Sequence, residues 1–138
     1  RVGNWIQPLP KWQGANLQSN QALPKLQHMP DANTAKIAAL NDHARQTFRE
    51  CRVVITQAVA QLGKDDVDRI LNEVRNYNDF TPINDPFLEH DFGSIQLGEK
   101  TIFWKIDYYD LDLHMHSPDP SDPAVTVRIL TIMLAEEY

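Results

Sequence analysis

The residues able to do chemistry gather in two short stretches of this chain. Glu89, His90 and Asp91 stand together, and Lys105, Asp107, Asp110, Asp112, His114 and His116 follow soon after. Carboxylate and imidazole are the ligands that zinc and first-row transition metals take. His114 and His116 point the same way if their segment is extended, and His90 joins them only by tertiary approach. His90, His114, His116 and Asp110 are therefore the candidate metal ligands. The spacing matches no H-E-x-x-H pair, no paired-cysteine motif and no calcium loop. A divalent metal is the one cofactor the residues allow, and the plainer reading is a solvated acidic loop beside a hairpin.

The same stretch allows acid–base chemistry. Imidazole titrates near neutral pH, and a carboxylate partner fixes its tautomer. His90 oriented by Asp107, with Lys105 balancing charge, is the candidate catalytic set. A nucleophile is harder to find, because Ser94 and Ser117 carry no elbow motif. A third reading needs no catalysis. Trp104 and Tyr109, with Asp110, Asp112 and Asp119, supply aromatic anchors and a charged rim, which protein interfaces use.

These residues need elements to position them. A helix is expected from Thr34 to Arg49, capped by Asn33 or Thr34, with Ile37, Leu40, Ala44 and Phe48 on one face. Arg52 to Thr56 reads as a short β-branched strand. Past Gly63 a second helix runs from Asp65 to Tyr77, acidic in its first turn, with Val67, Ile70, Leu71 and Val74 inward. Asp79 to Leu88 is a loop broken by Pro82 and Pro86.

The clearest hairpin pairs Phe92–Leu97 with Thr101–Tyr109 around Gly98-Glu99. That register sets Ile95 opposite Ile102, on the side of Trp104 and Ile106. Phe92, Phe103, Lys105, Asp107 and Tyr109 fall on the other side, with His90 opposite Asp107. Asp110 to Pro123 is a polar loop. Asp122-Pro123 signals a final helix with Val125, Ile129, Ile132 and Met133 inward, although the same residues alternate as a strand would. The expected fold is α+β: one small domain with helices packed on a short, mainly antiparallel sheet built on a central hairpin.

Length and charge narrow the partners. At 138 residues the chain fits one domain over 31–138, preceded by a flexible Pro- and Gln-rich tail over 1–30. In that tail Trp5, Ile6, Leu9 and Trp12 can lie across a groove, on this domain or on a partner. The start at Arg1 fits a processed or trimmed product. Residues 1–30 carry three cations and no acid, so the remainder holds all 19 acids against ten cations. Such a domain repels nucleic acid and suits a protein partner with a basic surface. The N-terminus lacks a secretory signal, no run is apolar enough to span a membrane, and a single cysteine, Cys51, fits a cytoplasmic setting. Cys51 itself reads as a half-buried small residue ahead of a strand.

The segments Glu89-His90-Asp91-Phe92-Gly93, Phe103-Trp104-Lys105-Ile106-Asp107-Tyr108-Tyr109-Asp110 and Thr131-Ile132-Met133-Leu134-Ala135-Glu136-Glu137-Tyr138 carry a family likeness. With Arg52-Val53-Val54 and Ser117-Pro118-Asp119-Pro120, the chain resembles an uncharacterised bacterial family common on plasmids, domain of unknown function 3768, over about Ile37 to Tyr138. The resemblance lends no catalytic residue, cofactor or partner. It implies a small accessory protein of a mobile element.

Two functions follow. The first is a non-enzymatic acidic interaction protein, with anti-defence by charge mimicry of nucleic acid as its sharpest form. The second is a small metal-assisted or acid–base hydrolase using His90, Asp107, His114 and His116. A homo-oligomer with Trp104 in its interface is a further arrangement the residues permit.

Overall fold

The computed structural model describes residues 31–138; the tail expected over 1–30 lies outside the described residues. The order is α1 (Ala32–Thr47), β1 (Arg52–Ile55), α2 (Gln57–Ala60), α3 (Lys64–Arg75), β2 (Phe92–Leu97), β3 (Lys100–Tyr109) and β4 (Val127–Leu134). Short 3-10 turns at Pro123–Val125 and Ala135–Glu137 flank β4. The fold is α+β, as expected.

The first helix starts two residues earlier than its sequence suggests. Asp31, not Asn33 or Thr34, is the cap: its carboxylate accepts the Thr34 N–H at 2.7 Å. Phe48 ends the helix in the left-handed region, at φ 57°. In α3 the acidic first turn holds Asp65 and Asp66, and Ile70 and Val74 are buried. The four-residue α2 has no counterpart in the sequence reading. It exists because Thr56 caps it locally, its side chain accepting the Val59 N–H.

The expected final helix is instead β4, the largest correction. Asp122 does cap, accepting the Ala124 N–H, and Pro123 does open a turn, but that turn ends at Val125. Val127, Ile129, Thr131 and Ile132 are β-branched, and β-branched residues prefer a pleated surface. Two strands stand ready to receive them, since β4 pairs antiparallel with β3 and parallel with β1. The resulting order, β1-β4-β3-β2, makes β4 an inner strand.

The hairpin register agrees with the sequence reading. Ile95 pairs with Ile102 and Leu97 with Lys100, leaving Gly98-Glu99 as the turn. Gly98 has φ 62°, the conformation a glycine accepts at no steric cost. Ile102, Trp104, Ile106 and Tyr108 face the helices together with Leu130 and Ile132, and Ile37, Val59, Ile70 and Val74 close the core from above. The opposite face carries Phe103, Lys105, Asp107 and Tyr109 across from Met133, Thr131, Ile129 and Val127. Trp104 is fully buried and belongs to the core, so it cannot serve as a surface anchor.

Candidate functional site

The ionisable residues separate into an inner network at one end of the sheet and an outer loop beside it. The inner network begins with two polar residues on the inward face of α1. Asn41 is completely buried; its amide donates to the Tyr108 hydroxyl at 2.8 Å and to the Glu89 carbonyl at 2.9 Å. Its oxygen accepts Arg128 Nε at 2.7 Å, which brings β4 into the same cluster. Tyr108 donates in turn to Glu89 Oε1 at 2.7 Å. Burial raises the Tyr108 hydroxyl well above its usual range, and the Asp91 and Glu89 charges push the same way. The guanidinium of Arg128 lies 5.2 Å from the Tyr108 ring and donates to the Pro120 carbonyl at 2.5 Å.

Next to it lies a shell around His90. Its Nδ1 sits 3.0 Å from both oxygens of Asp42, and its Nε2 is 3.7 Å from Asp85 Oδ2. The imidazole stacks flat on Phe80, at 4.0 Å between centroids. Arg45, 1% exposed, passes its charge to the Val74 and Arg75 carbonyls at the end of α3 and to Asp42 at 3.0 Å. Asp85 is buried and accepts the Glu89 and His90 N–H groups; burial nevertheless raises its carboxyl above the ordinary value. Leu88 and His90 hold φ 62° and 57°, backbone positions that cost energy for residues with a side chain.

Asp91 completes the inner site. Burial pushes its carboxyl up to about 8, and Glu89, Asp85 and Asp107 add repulsion. Burial and the neighbouring negative charge both favour the neutral form of the Asp91 carboxyl.

The pairing of His90 with Asp107 does not form. Strand β2 begins at Phe92, and the left-handed backbone at His90 turns its ring toward α1 instead of across the hairpin. Asp107 pairs with Lys105, on the sheet face away from the helices. His114 and His116 are exposed and do not join His90. Leu113 has φ 63°, so the segment is a turn, not extended; only His116 pairs with a strand, opposite Tyr109. Among the described residues no group of three His, Cys, Asp or Glu side chains is placed to hold a metal ion. A cleft of about 450 Å³ between Leu40, Cys51 and Thr126 contains none of the candidate residues.

The outer loop, 110–122, is held by its own polar groups. Asp110 Oδ1 accepts the His114 N–H at 3.0 Å and the Met115 N–H at 3.3 Å. Asp119 Oδ1 accepts the Ser121 hydroxyl at 2.6 Å, and Ser117 and Thr126 share a buried hydrogen bond at 2.7 Å. The His114 N–H holds the Asp110 carboxyl below the usual carboxylate range, and the Ser121 hydroxyl does the same for Asp119. The loop presents Leu111, 61% exposed, and Met115, 71% exposed, among these acids and Asp112.

Sequence reasoning missed Asn41, Asp42, Arg45, Asp85 and Arg128. A signal was available for three of them. Asn41 and Arg45 follow Ile37 at helical spacing on the inward stripe of α1, and Arg128 alternates with Leu130 and Ile132. A polar residue at a core position needs buried partners.

No curated protein and no solved structure matches the chain. Over residues 55–137, more than half its length, it matches the family described as Protein of unknown function (DUF3768), and the chain belongs to that family.

Proposed function

We propose that this chain is a non-enzymatic interaction protein whose 110–122 loop docks on a protein with a basic surface. The observation that carries the reading is the fixed loop, which offers Leu111 and Met115 as apolar anchors inside an acidic rim. Fixing the loop in advance lowers the ordering cost of binding. The charge of the segment that carries it is one-sided, although Lys36 of α1 acts on Asp119 from outside it. From Thr101 to Tyr138 the only cations are Lys105 and Arg128, both buried, whereas none of the seven acids is buried. A complementary potential would speed association and make it sensitive to salt.

The test is capture on the immobilised 138-residue chain at about 0.05 M and about 0.5 M salt. Partners should be retained at low salt, released at high salt, and lost with Leu111→Ser/Met115→Ser. Retention of the same proteins by that variant would refute the assignment. The sharper form, in which the chain of a mobile element mimics nucleic acid to occupy a defence enzyme's channel, adds one requirement: excess DNA or RNA must displace it from the captured partner.

Acid–base chemistry at His90 is the second reading. It is favoured by a half-exposed imidazole gripped by Asp42 on strained backbone. It calls for hydrolysis that His90→Gln abolishes while the fold persists.

A further inference from the structure

The cleft of about 450 Å³ opens where α1 meets the first residues of β1 and β4. Helix α1 ends at Thr47, and the chain turns back through left-handed Phe48 and Glu50, at φ 57° and 60°, to enter β1. That turn sets Cys51 beside α1, with Arg52 exposed at the rim. Leu40, Pro123 and Val127 give the cleft apolar walls, and buried Arg128 closes it from the sheet side. Its volume falls within the roughly 300–1,000 Å³ of small-molecule sites.

The arginines set this cleft apart from an otherwise acidic domain. Residues 31–138 carry 19 acids against ten cations, yet neither Arg52 nor Arg128 has an ion pair among the described residues. Arg128 gives its Nε to the Asn41 oxygen and its Nη2 to the Pro120 carbonyl, both neutral acceptors. Its Nη1 makes no hydrogen bond among the described residues, and it is not sealed from solvent. The opening that Arg128 lines is the cleft. Glu89, whose charge acts on Arg128 from the inner network, is itself held by Tyr108. Among the described residues lining the cleft the one acid is Glu50, and His43 engages it at 2.7 Å. Two arginines against one carboxylate leave a single positive charge.

We propose that this cleft binds a small monocarboxylate with an apolar body. The carboxylate accepts from Arg128 Nη1, a guanidinium donor suited to it, and Arg52 adds charge at the rim. Leu40, Pro123 and Val127 take the carbon skeleton.

Cys51 lines the same cleft and is the chain's one cysteine, so its alkylation reads the site on the intact 138-residue chain. Iodoacetate and iodoacetamide react with the same thiolate and differ in charge. Burial raises the Cys51 thiol, which slows both alike and leaves the ratio of their rates untouched. At about 0.05 M salt that ratio should exceed the ratio at N-acetylcysteine amide about fivefold. The chain's net charge of −6 acting alone would push it below the reference. Arg52→Gln should lower the ratio about twofold. Millimolar benzoate should slow iodoacetamide about threefold, whereas benzamide, its neutral counterpart, and inorganic phosphate should not. A ratio at or below the reference, or unmoved by Arg52→Gln, overturns the proposal. Equal protection by benzamide or by phosphate does so too, because the site would then not select a monocarboxylate. A thiol that reacts with neither reagent also overturns it, since the cleft is then closed to small molecules.

Discussion

Replacing Asp91 with Asn should stabilise the protein, and the gain should grow with pH. The carboxyl is raised from an ordinary 3.8 to about 8, first by burial and then by Glu89 and Asp85. Below about pH 3.8 the group is protonated whether the chain is folded or unfolded, and it costs nothing. Above that value the unfolded chain releases the proton while the folded chain keeps it. Stability therefore drains away as pH rises, until the folded carboxyl ionises near 8. About 1.4 kcal/mol per unit over roughly four units sets a ceiling of about 6 kcal/mol. Asp91 is only partly enclosed, and water reaching it will relax much of that; a gain of about 2 kcal/mol for Asp91→Asn at neutral pH is expected. Asn copies the shape of the neutral acid and cannot ionise. Urea unfolding of both proteins at about pH 4, 6 and 8 reads the difference, which should be near zero at the lowest pH and largest at the highest. A difference that does not change with pH, or a variant less stable than the parent at the highest value, would show that Asp91 is ionised and paired in the fold.

Gly93→Ala should cost about 3 kcal/mol in urea unfolding, because a Cβ there would meet Trp104 Cε2 at 2.6 Å and Tyr77 Cζ at 2.7 Å. Asn41→Ala removes the acceptor of Arg128 Nε and a donor to Tyr108, so a loss of about 3 kcal/mol and a lower melting temperature are expected. Asp42→Asn withdraws the carboxylate from both His90 and Arg45. It should cost about 2 kcal/mol, whereas the same change at exposed Asp112 should stay within about 0.5 kcal/mol.

The hairpin was legible because its turn and its alternation agree. Gly98-Glu99 fixes the register, and that register places Ile95, Ile102, Trp104 and Ile106 on one face. The last strand was not legible from Val125 to Met133 alone, since those residues satisfy both periods. What decides is the pair of waiting strand edges on β1 and β3, a tertiary fact. The site divides in the same way. Asp110 and Asp119 are set by hydrogen bonds within their own loop, and sequence reasoning picked both. His90 was picked too, but its partner was misplaced. The left-handed backbone at Leu88 and His90 breaks the pattern that would have carried β2 back to face Asp107. Trp104 counted as an interface aromatic until the strand's inward parity put it in the core.

The inner network and the outer loop are one mechanical unit, joined at Arg128. Its guanidinium holds the Asn41 oxygen on one side and the Pro120 carbonyl on the other, so the packing of α1 against the sheet is transmitted to the acidic loop. A double substitution separates the two jobs. Asn41→Leu/Arg128→Met removes the buried charge and its acceptor together, and replacing a buried polar pair with apolar side chains of similar size is often neutral. The Glu89 carbonyl and the Tyr108 hydroxyl lose their Asn41 donor, so core stability should fall by about 2 kcal/mol, while the loop loses its tie at Pro120. Proteolysis within 110–122 should accelerate, and capture of a basic partner should weaken although every surface carboxylate remains. Equal proteolysis of variant and parent, with the fold intact, would mean that the loop is held by the Asp110, Asp119 and Ser117 hydrogen bonds alone.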